Sequence, residues 1–541
     1  MSVFSKVGKA PVKYSNHNMS YRWTAACEFG KLYPVYLQDV VPGDVTRISN
    51  ELVIRFMPML APILHEINAF VHYFYVPYRI LWDGWETFIT GGEDGLDDSV
   101  KPRWNFDNYS MDAKDQLWEF MGHHLRRNSS TGNWGEGIAL DCFTQRGYNM
   151  IWNEWYRDTN LQDERSLHNN SLLYRAWRKD YFTSSRIDTQ LGEEPAIPVV
   201  GYLQTMLSPA GDLLPVVGRN INSAYANAHV GAYVPGLVNG ERGIKAAPVG
   251  GSSPTFVENE SLGIRINNNV GNYSLRNYLE NYVNLDAVGV NVNQLREIIQ
   301  VQRWKERNMR AGARYVDFIK SRFPAYPRDD RLQRPEFIGG TRAPIIISEV
   351  LQTSEYGTDG QGNAAPTGRM SGHGISVSRQ YACKYKSHEY GLIMGLMSIM
   401  PKPAYAQGVD RQWCYETKYD HYFPEFQHLG EQPVFNFELF DSTNAAINRE
   451  IFGYQGRYNE MRHRRDITVG IMNTDLSHWH LARYFAVPPT LNGDFIQCND
   501  VDVNRVFAVP SEPPMVVNFG NRVRMTRPIV GVPNPGLVDH I

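Results

Sequence analysis

The chain has 541 residues, of which 42% are hydrophobic, 12% aromatic and 21% charged. This composition is typical of globular proteins and excludes collagen-like, coiled-coil and wholly disordered chains. The 54 Lys and Arg against 57 Asp and Glu give a formal net charge of −3, which excludes a long-range positive field, so any contact with nucleic acid must be a local patch.

The beginning of the chain contains basic side chains but no apolar stretch of the secretory type, which predicts folding in a cytoplasm. The five cysteines lie far apart with no C-x-x-C pair, which argues against a disulfide framework and a zinc ribbon. We therefore expect reduced, buried thiols at Cys27, Cys142, Cys383, Cys414 and Cys498.

Residues 31–82 are rich in β-branched and aromatic side chains and predict three strands. The step Pro42-Gly43-Asp44 predicts a turn between the first two, because Pro presets φ and Gly tolerates a positive φ. Short strands spaced in this way favour a sandwich or barrel over βαβ units.

Helical spacing of apolar residues predicts helices over 112–125 and 142–156, both packed onto a sheet. A third helical stretch, 293–323, is expected to break near Ala311-Gly312, because glycine costs about 1 kcal/mol within a helix.

Residues 201–292 are rich in Gly and Asn and poor in charge, which predicts a surface insertion, and 352–374 is expected to form a similar loop. The apolar stretch 390–400 is about half the ~20 residues needed to cross a bilayer, so we interpret it as a buried strand and expect no membrane span. The segments NRVFAVP (504–510) and PPMVVNFGNRVRMTRP (513–528) predict closing strands, so one β core with large insertions is expected.

Motifs for catalysis and metal binding are missing from the sequence. His65-Glu66 is followed by His72 rather than by a second histidine one helical turn away, so a structural role for these residues is favoured over a zinc site. No Walker loop, nucleophile elbow or kinase motif set is present. The acidic loop 91–99 lacks the ligand order of an EF-hand and is expected to be a solvated turn. We therefore predict no enzyme activity, no metal site and no cofactor.

Basic residues cluster near the N-terminus, within 296–334 and within 457–466. Such patches with interleaved aromatic residues could bind single-stranded nucleic acid through phosphate neutralisation and base stacking. A solvated helix face or ion pairs between subunits would explain them equally simply, and this alternative is favoured for 296–334. The candidate nucleic-acid contacts are Lys6, Lys9, Lys13, Arg22, Arg462, Arg464 and Arg465.

Collinear segments along the whole chain carry a family resemblance. They are GKLYPVYLQDVVPGD (30–44), VIRFMPMLAPILHEINAFVHYFYVPYRILW (53–82), FITGGEDG (88–95), YNMIWNEWYRDTNLQ (148–162), WRKDYFTS (177–184), RLQRPEFIGG (331–340), HLGEQPVFN (428–436) and IFGYQGRYNEMR (451–462). On these segments the sequence resembles the major capsid proteins of gokushoviruses, icosahedral single-stranded DNA bacteriophages of the microvirus group.

The resemblance implies a mainly β fold, an eight-stranded viral jelly roll of two antiparallel sheets with large helical and loop insertions. Residues 1–200 would hold the N-terminal arm and first strands, 201–292 a variable protrusion at the threefold axes, and 293–541 a helical insertion, the remaining strands and the C-terminal arm. Together, the first and last of these would form one discontinuous domain.

The resemblance also implies a structural protein of the virion, assembled in the host bacterial cytoplasm into an icosahedral shell around circular single-stranded DNA. The implied partners are many identical copies, a small basic DNA-binding protein, an internal scaffolding protein and a pilot protein. We further hypothesise that 201–292 contributes to attachment to a host surface receptor. The high aromatic content leaves an alternative function open, a carbohydrate-binding β-sandwich that stacks sugars on aromatic rings.

Overall fold

The structure, a computed structural model, describes residues 12–93, 95–104, 116–130, 134–135, 138–189, 304, 315–323, 333–351, 370–428, 430–499 and 503–531. The chain divides into two units, and all of these residues fall in the unit formed by Met1–Glu193 and Val292–Ile541. The other unit, Glu194–Asn291, lies outside the described residues, and with it the predicted insertion 201–292. The predicted domain boundaries stay predictions.

The described residues contain thirteen strands, most of them antiparallel to their neighbours. They are β1 (Ser15–Asn18), β2 (Tyr21–Cys27), β3 (Tyr33–Val40), β4 (Val45–Phe56), β5 (Ile67–Pro77), β6 (Glu336–Leu351), β7 (Met370–Lys386), β8 (Gly391–Pro401), β9 (Ala404–Tyr405), β10 (Glu431–Phe435), β11 (Ile451–Gly456), β12 (Asp466–Ile467) and β13 (Met515–Arg527).

Helices in the described residues are short. The α-helices are Tyr78–Leu81, Trp85–Thr90, Leu117–Phe120, Phe143–Ile151, Tyr315–Arg322, Ala445–Asn448 and Gly493–Ile496, and Trp152–Tyr156 is a π-helix. The 3₁₀ helices are Arg411–Trp413, Pro424–Phe426, Asn436–Glu438, Asn459–Met461, Gly470–Asn473, Ser477–Trp479 and Val503–Val506.

Two antiparallel sheets, joined along one long strand, form the centre of the fold. In the first, the β13 sheet, the order is β2, β13, β4 and β7, and β1 extends β2 along the same edge of β13. In the second, the β8 sheet, the order is β3, β8, β5 and β6. Strand β6 pairs with β5 up to Ile345 and with β7 from Ile346 onward, so it passes from one sheet to the other. Eight strand positions in two antiparallel sheets confirm the predicted jelly roll with insertions.

The two sheets face each other across the main core. Asn50 of β4 donates to Thr341 Oγ1 of β6 at 2.7 Å, and Asn521 of β13 donates to the carbonyl of Val35 in β3 at 2.8 Å. Alternate side chains of β4 and β13 are buried between the sheets, as the period of two along a strand requires. The members of this core include Ile48, Leu52, Ile54, Val517, Phe519, Val523, Tyr36, Val71 and Tyr73.

The β8 sheet is covered on its other face as well. Every residue of β8 is buried, which explains why its sequence is apolar without alternation. The helix Phe143–Ile151 packs there: a Cβ added to Gly147 would lie 3.3 Å from Cδ2 of Leu392. The predicted helix over 142–156 is thereby confirmed as a layer on the sheet, although its last turn is a π-helix.

Several predicted elements differ from the observed ones. Over 112–125 the described helix is only Leu117–Phe120, and from 293–323 the described residues are Trp304 and 315–323, so the break predicted at Ala311-Gly312 lies outside them. The strand predicted in NRVFAVP is wrong: Val503–Val506 is a 3₁₀ helix, and Phe507 makes only an isolated bridge to Met59.

The loop predicted over 352–374 is also wrong at its end, because β7 begins at Met370. Gly372 and Gly374 lie inside this strand, and a Cβ at Gly374 would overlap the ring of Phe56. Glycine here permits close packing rather than a turn. Residues 352–369 lie outside the described part of the chain.

The insertion between β8 and β13, together with Tyr181 and Phe182 from before β6, builds a second, smaller core. Its buried members are Tyr181, Phe182, Tyr405, Val434, Leu439, Phe452, Phe495 and Ile496. Four cysteines are buried as expected, but Cys414 is exposed, because it directly follows the surface helix Arg411–Trp413. None of the five forms a disulfide.

Candidate nucleic-acid interface

The outward face of the β13 sheet carries a dense set of positive charges. The strand register places Arg524 of β13 opposite Arg47 of β4, which in turn lies opposite Lys384 of β7. Three cations therefore lie side by side across three strands. Like charges directly opposite each other destabilise a sheet, so this row is unfavourable unless an anion neutralises it.

The same face collects exposed basic side chains from four strands. They are Arg22 of β2, Arg47 and Arg55 of β4, Arg379, Lys384 and Lys386 of β7, and Arg522 and Arg524 of β13. The sequences of β1, β2, β4, β7 and β13 contain a single acidic residue, Glu51.

Glu51 forms ion pairs with two of these cations, and its single charge offsets one of them. Its Oε1 lies 2.6 Å from Arg522 Nη2 and 3.5 Å from Arg379 Nε. Among the described residues, no acidic group lies within ion-pair distance of Arg22, Arg47, Arg55 or Arg524. Exposed, unpaired cations on one surface attract a polyanion and release its counterions on contact.

The other end of the same face is mostly apolar, with one cation, Arg55, opposite Ile375. Ile346 of β6 lies opposite Ile375 of β7, and Val377 lies opposite Val53 of β4. The side chains of Ile346 and Val377 are 68% and 72% exposed. Exposed apolar residues in one patch are typical of a protein contact surface.

Of the predicted contact residues near the N-terminus, Arg22 lies on this basic face. Lys13 is exposed two residues before β1, at the edge of the same sheet. Lys6 and Lys9 lie outside the described residues.

The second predicted group, Arg462, Arg464 and Arg465, lies on the loop after β11, beside the smaller core. Arg462 is exposed, and its Nη1 donates to Asn459 Oδ1 at 2.7 Å and to the carbonyl of Arg457 at 3.0 Å. Arg464 is exposed as well. The structure therefore places this group on a different element from Arg22, and the two groups do not form one site.

Arg465 holds the loops around the smaller core together. Its Nη atoms donate to the carbonyls of Gln407, Gly408 and Glu438 at 2.9, 2.7 and 2.7 Å. Its Nε lies 2.8 Å from Asp410 Oδ1, and its side chain is 7% exposed. These contacts occupy the guanidinium, so Arg465 stabilises the fold here.

A buried carboxyl lies next to this arginine. The side chain of Glu438 accepts from the backbone N–H of Phe435 at 3.0 Å and from the Tyr181 hydroxyl at 3.2 Å. Burial raises the pKa of Glu438 to about 7, although these hydrogen bonds and Arg411 oppose the shift.

Sequence reasoning missed most of the basic face. Arg47 and Arg55 in β4 and Arg522 and Arg524 in β13 each alternate with buried apolar residues, as in RVRM (522–525). Because successive strand residues point to opposite faces, this alternation was a usable signal, but only the register aligns the charges of separate strands.

The histidines that the sequence analysis examined are structural. His65 Nε2 lies 2.6 Å from the carbonyl of Lys402, and His72 Nδ1 lies 2.8 Å from the Tyr156 hydroxyl. No group of three potential metal-ligating side chains occurs among the described residues. Within that same part of the chain, no helix has the length and apolar character needed to span a bilayer.

Known proteins resemble this chain over its full length. A family model described as "Capsid protein (F protein)" matches residues 5–537. The chain is 29% identical to capsid protein VP1 of Chlamydia phage 1, with 99% of this chain and 97% of that protein aligned. It is 28% identical to capsid protein VP1 of Bdellovibrio phage phiMH2K and 25% identical to that of Spiroplasma virus 4, again over at least 95% of each chain. The chain therefore belongs to the phage capsid protein (F protein) family, and it is a structural protein of the virion rather than an enzyme.

Proposed function

We propose that many copies of this chain assemble into an icosahedral shell around a circular single-stranded DNA genome, and that the basic face of the β13 sheet contacts this DNA. The observation that supports the DNA contact most directly is the row Arg524, Arg47 and Lys384, which is repulsive until an anion neutralises it. The surrounding exposed arginines extend the row into a surface long enough for several phosphates.

The apolar end of the same face supports assembly. Ile346 and Val377 are more than two-thirds exposed in the isolated chain. We assign this end to contact with a second copy, because exposed apolar patches gain free energy when another subunit covers them.

The charge of the whole chain limits what the shell can do alone. A DNA genome carries one negative charge per nucleotide, whereas each copy carries a formal net charge of −3. The basic face can guide and order DNA but cannot neutralise it. We therefore propose a small basic DNA-binding protein as the main neutralising partner, with an internal scaffolding protein and a pilot protein as further partners during assembly in the host bacterial cytoplasm.

Charge reversal on the basic face tests the proposal. The double substitution Arg47→Glu and Arg524→Glu should leave shell assembly intact and lower the DNA content of purified particles. Arg103→Glu with Arg126→Glu is the matched control, because both side chains are exposed and lie away from this face. Unchanged DNA content in the first variant would exclude the basic face as the DNA contact. Loss of assembly would assign that face to contacts between subunits instead.

We also propose that residues 201–292, which lie outside the described residues, attach the particle to a host surface receptor. The Gly- and Asn-rich composition of this segment supports an exposed position. Deleting its central part should leave particles intact while adsorption to the host falls. If particles fail to form, the segment holds subunits together instead.

A further inference from the structure

A second candidate binding site lies on the outward face of the β8 sheet, on the other sheet from the basic face. It is a pocket of about 620 Å³, within the range of about 300–1,000 Å³ typical of small-molecule sites. Strand β5 supplies Phe70, His72 and Phe74, and the neighbouring strand β6 supplies Phe337 and Arg342. We call it the His72 pocket.

Aromatic rings form one wall of this pocket. Phe337 lies directly opposite Phe74 in the register, with ring centres 5.6 Å apart, and Trp155 lies 5.9 Å from Phe337. Phe337 is 44% exposed, which leaves part of its ring open to a ligand. Trp155 is 41% exposed, and the guanidinium of Arg334 lies 5.4 Å from its ring centre. Gly340, opposite His72, keeps the space above the imidazole open, because a Cβ there would lie 3.1 Å from His72 Cδ2.

Cations line the same pocket, two of them beside the Phe70 ring. Arg157, Arg175, Arg178, Lys179 and Arg342 line the pocket, against a single lining acid, Asp158. Asp158 is paired with Lys179 at 2.9 Å, and Arg342 is paired outside the pocket lining with Glu66 at 2.8 Å. The positive charge that is left in the pocket belongs to Arg157, Arg175 and Arg178.

Two of these arginines are partly buried by the surrounding protein. The guanidinium of Arg175 lies 4.6 Å from the ring centre of Phe70 and donates to Ser398 Oγ at 2.9 Å. The Nε of Arg157 is buried, so a ligand cannot reach that atom, and Arg157 contributes its charge to the pocket rather than a hydrogen bond from Nε.

His72 lies between Phe70 and Phe74 on β5 and adds no charge to the pocket. Burial and the neighbouring Arg175 lower the pKa of His72 to about 4, so its ring is neutral at physiological pH. Its Nδ1 pairs with the Tyr156 hydroxyl at 2.8 Å. The lining therefore offers aromatic rings to an uncharged planar group and cations to an anion.

We propose that the His72 pocket binds a nucleoside monophosphate, with the base stacked on Phe337 beside Trp155 and the phosphate held by the lining cations. A nucleotide combines a planar ring and an anion within one small molecule, as this mixed lining requires. Every base has a face that can stack on an aromatic ring, so the site is expected to tolerate different bases. The proposal does not depend on the basic face, because it concerns the other sheet.

Binding of a fluorescent analogue of deoxyadenosine monophosphate to the purified full-length chain, followed by anisotropy, tests this. We expect saturable binding that unlabelled deoxyadenosine monophosphate displaces at least tenfold more effectively than inorganic phosphate or deoxyadenosine. Phe337→Ser should weaken binding about tenfold, since stacking contributes about 1–3 kcal/mol per base. Phe423→Ser is the matched control, because Phe423 is 41% exposed and lies outside the pocket. Circular dichroism checks that both variants fold.

Absence of saturable binding, equal displacement by inorganic phosphate, or equal loss in the Phe337 and Phe423 variants would each overturn the proposal. Assembled particles distinguish the source of the nucleotide. If it belongs to the packaged strand, DNA-free particles bind the probe and filled particles do not. If it comes from the free pool, both bind it. Binding to the isolated chain but to neither kind of particle would show that assembly closes the pocket, and would confine the nucleotide site to the unassembled subunit.

Discussion

Asp44 and Arg527 form an ion pair that ties the beginning of the jelly roll to its last strand. Arg527 Nη2 lies 2.9 Å from Asp44 Oδ2, and the carboxylate is fully buried. The backbone N–H of Val41 donates to the same oxygen at 3.0 Å. Asp44 closes the turn between β3 and β4, and Arg527 is the final residue of β13, so the pair fixes the turn against that strand.

Removing the arginine should therefore destabilise the fold. Arg527→Met leaves a buried carboxylate without its countercharge, which typically costs about 3–5 kcal/mol. Chemical denaturation would measure the free energy of unfolding. Arg522→Met is the control, since the Arg522 pair with Glu51 is partly exposed and such pairs contribute about 1 kcal/mol or less. Equal losses in the two variants would contradict a special role for the Asp44 pair.

Gly30 is expected to tolerate no side chain. Its φ is +76°, and a Cβ would overlap the carbonyl oxygen of Cys498. Gly95 has a similar φ of +67° with nothing within 4 Å of a Cβ. Gly95→Ala should thus lower the free energy of unfolding by only about 1–2 kcal/mol, through backbone strain. Gly30→Ala should lower it by about 1–3 kcal/mol more, through overpacking. Thermal unfolding of both variants gives the comparison, and a Gly30 variant as stable as the Gly95 variant would refute it.

The buried carboxyl of Glu438 predicts a pH dependence. Its pKa is raised from 4.5 to about 7, so between these values the folded state keeps a proton that the unfolded state has released. The free energy of unfolding should therefore fall as pH rises from about 4.5 to 7, by about 3 kcal/mol at most. Glu438→Gln should remove this decline, and Glu416→Gln, at a carboxyl that is 63% exposed, should not. A decline that persists in the Glu438 variant would contradict the assignment.

Contact between the basic face and DNA predicts a dependence on salt. The logarithm of the affinity for single-stranded DNA should fall linearly with the logarithm of salt concentration, with a slope of about −0.7 for each neutralised phosphate. Arg524→Ala should make this slope shallower by about 0.7, because Arg524 lies in the row of unpaired cations. Arg465→Ala should leave the slope unchanged if the variant folds, because its guanidinium contacts the protein. Titrations of each variant with single-stranded DNA at four or more salt concentrations measure both slopes.

The strands that the sequence predicted share one physical property. In β3, β4, β5, β8 and β13 the apolar residues alternate or run uninterrupted, because one or both faces are buried. The sequence also placed the turn at Pro42-Gly43-Asp44, where Gly43 has φ +94°. For these strands and this turn, the local pattern of residues was enough to predict the structure.

The elements that sequence reasoning missed depend on distant partners. The strand β2 is largely exposed, and nothing in its own sequence indicates its partner β13, which follows almost 500 residues later in the chain. The beginning of β7 contains two glycines that indicate a loop until Phe56 is seen packing against Gly374. The basic face shows the same limit. Arg22 was predicted as a contact from its local sequence, whereas the basic residues of β4, β7 and β13 join it only through the strand register, which depends on distant parts of the chain.

The position of β13 between β2 and β4 has a consequence for biosynthesis. β13 is the last of the described strands to be synthesised. Until residue 527 has left the ribosome, β2 and β4 therefore lack the strand that pairs with both of them. An incomplete polypeptide can neither close the sandwich nor align the cations of three strands. If copies assemble as proposed, a fragment that stops short of this strand is expected to be excluded from the particle, so that translation to the end of the chain acts as a quality check on each subunit.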